Sequence, residues 1–296
     1  MMDDRQRISP DARTDFSIHT SLSDGEMTPP EVIDLAAKLG IKEIAITDQD
    51  CIEVHIGDRY AQYAKMRRIK LHAGVELAAL WRGQPVEVLG IDFDPKNPVF
   101  SRKMRDAQRA RRDHVEAVLK RLPRRAGRPD GIAGEIFRPE RVSVGSSHVV
   151  RALLRRHAAR DSREAWSMVD AAERGVRTMA EPPSAKGAIR DILEAGGTAI
   201  LAHPAAYRDL WQGQLAGSLE EVLADLAPAG LGGVVAWSAY HLFDRSFADA
   251  EASRAFGDET ATLAERLGLK AVTAGECLRR DEFEQYWAVP APAART

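Results

Sequence analysis

A chain of 296 residues, with 44% hydrophobic and 29% charged residues, is long enough to bury a full core and is ordinary in composition for a globular protein. Its formal net charge of −2 gives no electrostatic reason to expect a nucleic-acid polymer or an anionic membrane as partner. No apolar run approaches the roughly 18 residues of a membrane span. Asp3, Asp4, Arg5 and Arg7 make the N-terminus unlike a secretory leader, and two cysteines, Cys51 and Cys277, form no disulfide framework. A cytoplasmic protein with reduced thiols is expected.

In chain order, Thr14 to His19 reads as a strand. Pro29 and Pro30 open a helix whose stripe is Val32, Leu35, Ala36 and Leu39, stopped by Gly40. Ile44 to Ile46 is a buried strand running into Thr47-Asp48-Gln49-Asp50, and Leu71 to Leu77 and Val86 to Ile91 are further strands. The segment Ser101 to Arg124 is helical and strongly basic. Asp106, Asp113 and Glu116 interleave with its arginines, so it reads as a solvated charged face rather than a polyanion site. Residues 122–141 are rich in Pro, Gly and Arg, and helices follow from about Ser146 to Arg174. Strand-like runs return at Thr198 to Ala202, Val234 to Trp237 and Ala271 to Thr273, with helices at Ile189 to Ala195 and Ala250 to Leu267. This alternation predicts an α/β fold with a parallel sheet and crossover helices.

Polar residues gather where predicted strands end: His19 and Asp24 after the first, Asp48 to Asp50 after the second, Glu76 on the third, Glu87 in the fourth, His203 after a later one, and Cys277 and Arg279 after the last. In a parallel barrel those ends share one mouth. Histidine, carboxylate and cysteine side chains collected there suit a divalent metal site.

Asp15 to Gly25 (DFSIHTSLSDG) resembles the opening motif of the polymerase and histidinol phosphatase (PHP) family. Ile44 to Asp50 is similar to its second strand and T-D-H-D turn, Gly74-Val75-Glu76 to its G-x-E motif, and Val86 to Gly90 to its V-H-x-L-G strand. Gly145 to Leu153, Ala195 to Pro204 and Ala274 to Arg279 resemble later motifs in the right order. The resemblance implies a distorted seven-stranded (βα) barrel of PHP type with a helical insertion. Residues 12–99 and 186–280 would form the barrel, 100–185 the insertion, and 1–11 and 281–296 terminal extensions. It also implies as many as three divalent metals acting on phosphate esters.

The departures from the motifs matter as much. Ser17, Gln49 and Glu87 stand where the family has histidine, and Cys277 and Arg279 stand where it has aspartate and histidine. The resemblance then implies a first ion near His19, Glu76 and Cys277, and a second near Glu76, Glu87 and His203, with zinc, manganese or iron as the metal. A guanidinium cannot ligate a metal, so the third ion, due at Asp24, Gln49 and Arg279, is expected to be absent. Arg279 is expected to pair with Asp24 in its place, and Arg279 and His148 to contact a small anionic substrate. The function that follows is a divergent phosphoesterase with one or two metals. The alternatives are a metal-free pseudoenzyme that binds an anionic ligand or regulates a partner, and a redirected enzyme such as a lyase. The sequence assigns neither a catalytic residue nor an oligomeric state.

Overall fold

The computed structural model describes residues 13–176, 182–205, 218–238, 240, 247–275 and 277–288. His241 lies outside them. Seven strands form one sheet in chain order: β1 (Thr14–Ile18), β2 (Glu43–Ile46), β3 (Lys70–Trp81), β4 (Gln84–Ile91), β5 (Thr198–Leu201), β6 (Leu231–Trp237) and β7 (Lys270–Thr273). The sheet curls so that its ends meet through a bridge between Ile18 and Cys277, with the His19 N–H donating to the Cys277 carbonyl at 3.2 Å. The α/β barrel expected from the sequence is present.

The sheet is mixed rather than parallel. β4 runs antiparallel to both β3 and β5, while the other pairings are parallel. The cause is a two-residue turn at Arg82-Gly83, where φ is 48° and 81°. Two positive φ values are the mark of a tight hairpin turn whose twist matches its strands. The sequence signal was the lone Gly83 between two apolar runs.

Among the described residues, ten α-helices flank the sheet: α1 (Pro29–Lys38), α2 (Arg59–Met66), α3 (Pro98–Arg121), α4 (Pro129–Ile136), α5 (Ser146–Arg155), α6 (Ser162–Glu173), α7 (Ala185–Glu194), α8 (Leu219–Leu226), α9 (Ala250–Arg266) and α10 (Arg280–Ala288). Inside the curl, Phe16, Ala45, Leu89, Ile91, Ile200, Val235 and Val272 pack together. Outside it, Val75, Leu77, Val86 and Val88 pack against α7, α8 and the first turns of α3 through Phe100 and Met104. The rest of α3 joins α4, α5 and α6 around a separate cluster that includes Val115, Val118, Ile132, Val149 and Val169. Each fully buried aliphatic side chain contributes about 1.5–3 kcal/mol relative to exposure. None of the helices is long and apolar enough to cross a membrane among the described residues.

The segment beyond residue 280, expected as an extension, begins with a docked helix. Phe283 on α10 is fully buried beside Ile18 and Cys277, and Trp287 Nε1 donates to Asp15 Oδ2 at 3.1 Å. Asp15 also accepts from the Gly275 N–H at 2.7 Å and the Ser17 N–H at 3.1 Å. It therefore ties β1, the loop after β7 and α10 together. A side chain on Gly275 would strike that carboxylate, which explains the glycine.

Candidate metal centre

Strand register brings Glu76 and Glu87 to one face. Glu76 pairs with Leu89, and Glu87 sits opposite Ala78, so the two carboxylates are diagonal neighbours on the inner side with Leu89. β1 reaches the same side through an irregularity between Asp15 and Ile18. Phe16 faces the inner core while Ile18 packs outward against α1, so the break in alternation turns His19 inward. β5 ends at Leu201, and the Ala202 N–H donates to the Glu87 carbonyl at 3.0 Å, which places His203 over β4. His203 has φ of 48°, a left-handed conformation uncommon for a residue with a side chain and worth roughly 1–2 kcal/mol of strain.

Glu76 is the hub. His19 Nε2 lies 3.0 Å from its Oε2, and His203 Nε2 lies 2.8 Å from its Oε1. Gln49 Nε2 donates to Glu76 Oε2 and to Glu87 Oε1, both at 2.9 Å, and His203 Nε2 is 3.4 Å from Glu87 Oε2. The side chain of Glu76 is 1% exposed. Burial alone would raise its carboxyl, but the charge of His203 and hydrogen bonds from both imidazoles hold it well below the usual carboxylate range. Burial disfavours a charged His19, yet the hydrogen bond and charge of Glu76, with Asp48 and Asp24 behind it, carry its pKa up to about 9. Burial and the charge of Glu76 push Glu87 up to about 7.

Those shifts fix a pH dependence. His19 rises from 6.5 to about 9 on folding, so its stabilising charge is complete below about 6.5 and is lost as pH climbs through 9. Glu87 rises from 4.5 to about 7, so its contribution is lost in the same direction but earlier, as pH climbs from about 4.5 through 7. The thermal midpoint in chelator should therefore fall between pH 7 and 9.5. A flat or rising midpoint in scanning fluorimetry would contradict the assignment.

A buried anion flanked by two imidazoles and a second carboxylate is a donor set in search of a cation. One donor atom each from Glu76, Glu87 and His203 lies within 4.8 Å of the others, and they form the one such His, Cys, Asp or Glu group found among the described residues. His19 Nδ1 and Ser17 Oγ are buried without a hydrogen-bond partner. Oxygen and imidazole ligands of this kind fit zinc, manganese or iron. Cys277 falls outside the group. Its Sγ donates to the Gly275 carbonyl at 3.3 Å, and it packs in the outer apolar cluster.

Asp48 carries the loop rather than the site. It is fully buried and accepts from the Thr20 N–H and Thr20 Oγ1, both at 2.6 Å, and from Ser23 Oγ. Gly25 completes this loop, since a Cβ there would lie 2.5 Å from the His19 carbonyl carbon.

The expected pair of Asp24 and Arg279 does not form. Arg279 is half exposed and bonds locally to Asp281 and Glu282, and Glu282 caps the start of α10 through the Leu278 and Arg279 N–H groups. A local bond over two or three residues costs less ordering than a reach across the mouth. Asp24 is met instead by α5. Ser147 Oγ donates to its Oδ1 at 2.8 Å, His148 Nδ1 lies 3.2 Å away, and Arg151 Nη2 lies at 4.0 Å.

His148 is likewise anchored. Nε2 donates to the Ser23 carbonyl at 2.9 Å, and Nδ1 accepts from the Gly145 N–H at 3.1 Å, which requires a neutral ring. Burial, with Arg151 and Arg141 nearby, outweighs the charge of Asp24 and the bond to the Ser23 carbonyl and lowers its pKa to about 4. Both ring nitrogens are occupied by the fold, so the structure does not offer His148 to a substrate.

Sequence reasoning missed Arg111. It projects from α3 into the mouth, where Nε donates to Asp50 Oδ2 at 2.5 Å and Nη2 to Gln49 Oε1 at 2.6 Å. The available signal was its spacing. Phe100, Met104, Gln108, Arg111, Val115 and Val118 recur every three or four residues, so Arg111 lies on the buried stripe rather than the solvated face.

The family model described as PHP domain matches residues 15–121, the stretch that carries His19, Gln49, Glu76, Glu87 and Arg111. That stretch resembles a PHP domain. The chain is 29% identical over 236 residues to a 3',5'-nucleoside bisphosphate phosphatase of Chromobacterium violaceum, covering 79% of each chain. It is 27% identical over 193 residues to a 5'-3' exoribonuclease of Haemophilus influenzae, covering 65% of this chain and 69% of that one. Among solved structures, an amidohydrolase from Chromobacterium violaceum with bound sulfate and no metal superposes with a TM-score of 0.70 at 26% identity, covering 92% of this chain and 89% of that one. The chain thus has relatives named as a phosphatase and an exoribonuclease, and a fold shared over 92% of its length with a solved structure.

Proposed function

We propose that this protein is a metal-dependent phosphoesterase acting on a small phosphorylated nucleotide or metabolite. The observation that carries the reading is the convergence of Glu76, Glu87 and His203, with His19 on the second oxygen of Glu76. Glu76, Glu87 and His203 would hold one divalent ion, with His19 beside it; zinc, manganese and iron all suit these donors. When bound, such an ion neutralises charge on a phosphoryl group and lowers the pKa of a water. The chain's own part is positional. Glu76 orients both imidazoles, Gln49 holds the two carboxylates together, and Glu87 keeps a proton near neutrality whose loss frees a carboxylate oxygen. The similarity to a nucleoside bisphosphate phosphatase supports that substrate class first.

The test is phosphate release from a nucleoside 3',5'-bisphosphate, a nucleoside monophosphate and a short 5'-phosphorylated RNA, with manganese, zinc or iron and with chelator. Turnover of the bisphosphate that disappears with chelator is expected. Preference for the RNA would move the substrate toward the exoribonucleases. Absence of turnover on every substrate by the metal-loaded chain would refute the enzyme reading.

The position of Cys277 gives a second expectation. Cys277→Ser should leave metal content unchanged and cost about 1 kcal/mol or less, because the hydroxyl can keep the bond to Gly275. Loss of an equivalent of metal in that variant would restore Cys277 to the ligand set.

A further inference from the structure

Beside Glu76 and Glu87 the mouth is occupied by the side chains of Gln49 and Arg111. Gln49 is locked by its amide on both ends. Its oxygen accepts from Arg111 Nη2, and its nitrogen donates to Glu76 and Glu87. The same guanidinium bonds Asp50, and Gln108, one turn earlier on α3, donates to the Asp50 carbonyl at 2.8 Å. Arg111 is only 18% exposed, and its Nη1 lies 3.2 Å from where a Cβ on Gly145 would stand, so the guanidinium is wedged between the β2 loop and the start of α5. Asp24 is covered from α5 by Ser147, His148 and Arg151.

We infer that Arg111 is a resident cation that takes the place of a third metal ion, and that it acts through Gln49 as a positioning residue for Glu76 and Glu87. A guanidinium stays protonated and has no lone pair to give, so it satisfies Asp50 while repelling a divalent ion. With Gln49 Oε1 committed to Arg111, the amide can turn only N–H groups toward the two carboxylates. This fixes the carboxylates against each other whether or not an ion joins them. Removing the cation alone would leave the Asp50 carboxylate unpaired. Replacing Gln49 by histidine as well would supply an imidazole beside it, which is a metal-binding set.

The inference concerns the same mouth as the proposed function but is read by a different quantity. Manganese stoichiometry, by titration calorimetry and by metal analysis after desalting, is compared in wild type, Gln49→His and the double variant Gln49→His with Arg111→Met. The expected result is equal stoichiometry in wild type and Gln49→His, and one equivalent more in the double variant. An added equivalent in Gln49→His alone would show that Arg111 does not exclude the ion, and an unchanged double variant would show that no cation position exists there. Either result overturns the inference. Should that double variant fail to fold by circular dichroism, Gln49→His with Arg111→Gln, which also removes the cation, takes its place under the same two criteria. The comparison is relative to wild type, so it stands even if no phosphate ester is hydrolysed, the outcome that would sink the proposed function alone.

Discussion

Replacing Glu76 with glutamine is expected to lower manganese or zinc affinity by about 100-fold or more and to abolish any metal-dependent hydrolysis. The carboxylate is buried, faces both His19 and His203, and contributes to the donor group with Glu87. Removing one member of a buried ion pair costs about 3–5 kcal/mol, because the partners are left charged and unpaired. Glutamine keeps the volume of the side chain, so the fold should survive while the anion that attracts a cation is gone. The His19 pKa, raised by Glu76, should fall back as well, which a titration of the imidazole resonances would read. Retained metal affinity in Glu76→Gln would remove Glu76 from the centre of the site.

The largest effect on stability should come from Asp48→Ala. Three donors converge on this carboxylate from Thr20 and Ser23, and no solvent reaches it. Its loss strands those donors inside the loop that bears His19 and Asp24. Each unsatisfied buried donor costs about 1–3 kcal/mol, so a total loss of about 3–5 kcal/mol is expected in urea denaturation. Asp48→Asn, which keeps part of the bonding, should lose less. A loss below about 1 kcal/mol in Asp48→Ala would mean that the loop is organised by something else.

Much of this was legible because the residues concerned sit at strand ends, where position follows from topology. His19, Glu76 and Glu87 lie on strands that the apolar runs predict, His203 lies one residue beyond another, and their convergence needs only the barrel. Three features were hidden for physical reasons. The β4 reversal depends on the backbone of Arg82-Gly83, which leaves a weak mark in composition. Arg279 was placed by analogy with a metal ligand, but Glu282 and Asp281 capture it locally as α10 begins. Arg111 was hidden among neighbouring arginines whose solvated character is real, as with the exposed pair of Arg109 and Asp106. Only its place on the stripe of Phe100, Met104 and Val115 separates it from them. The charge balance assigned to the loop after β7 is thus supplied by α3 and α5.

The measurement that bears most directly on the metal centre is anomalous diffraction from crystals grown with manganese. The account predicts an ion bound by Glu76, Glu87 and His203 at ordinary ligand distances of roughly 2.0–2.2 Å, with none between Asp24 and Gln49. An ion at Asp24 and Gln49, or no ion at Glu76 in crystals of protein that retains manganese in solution, would contradict it.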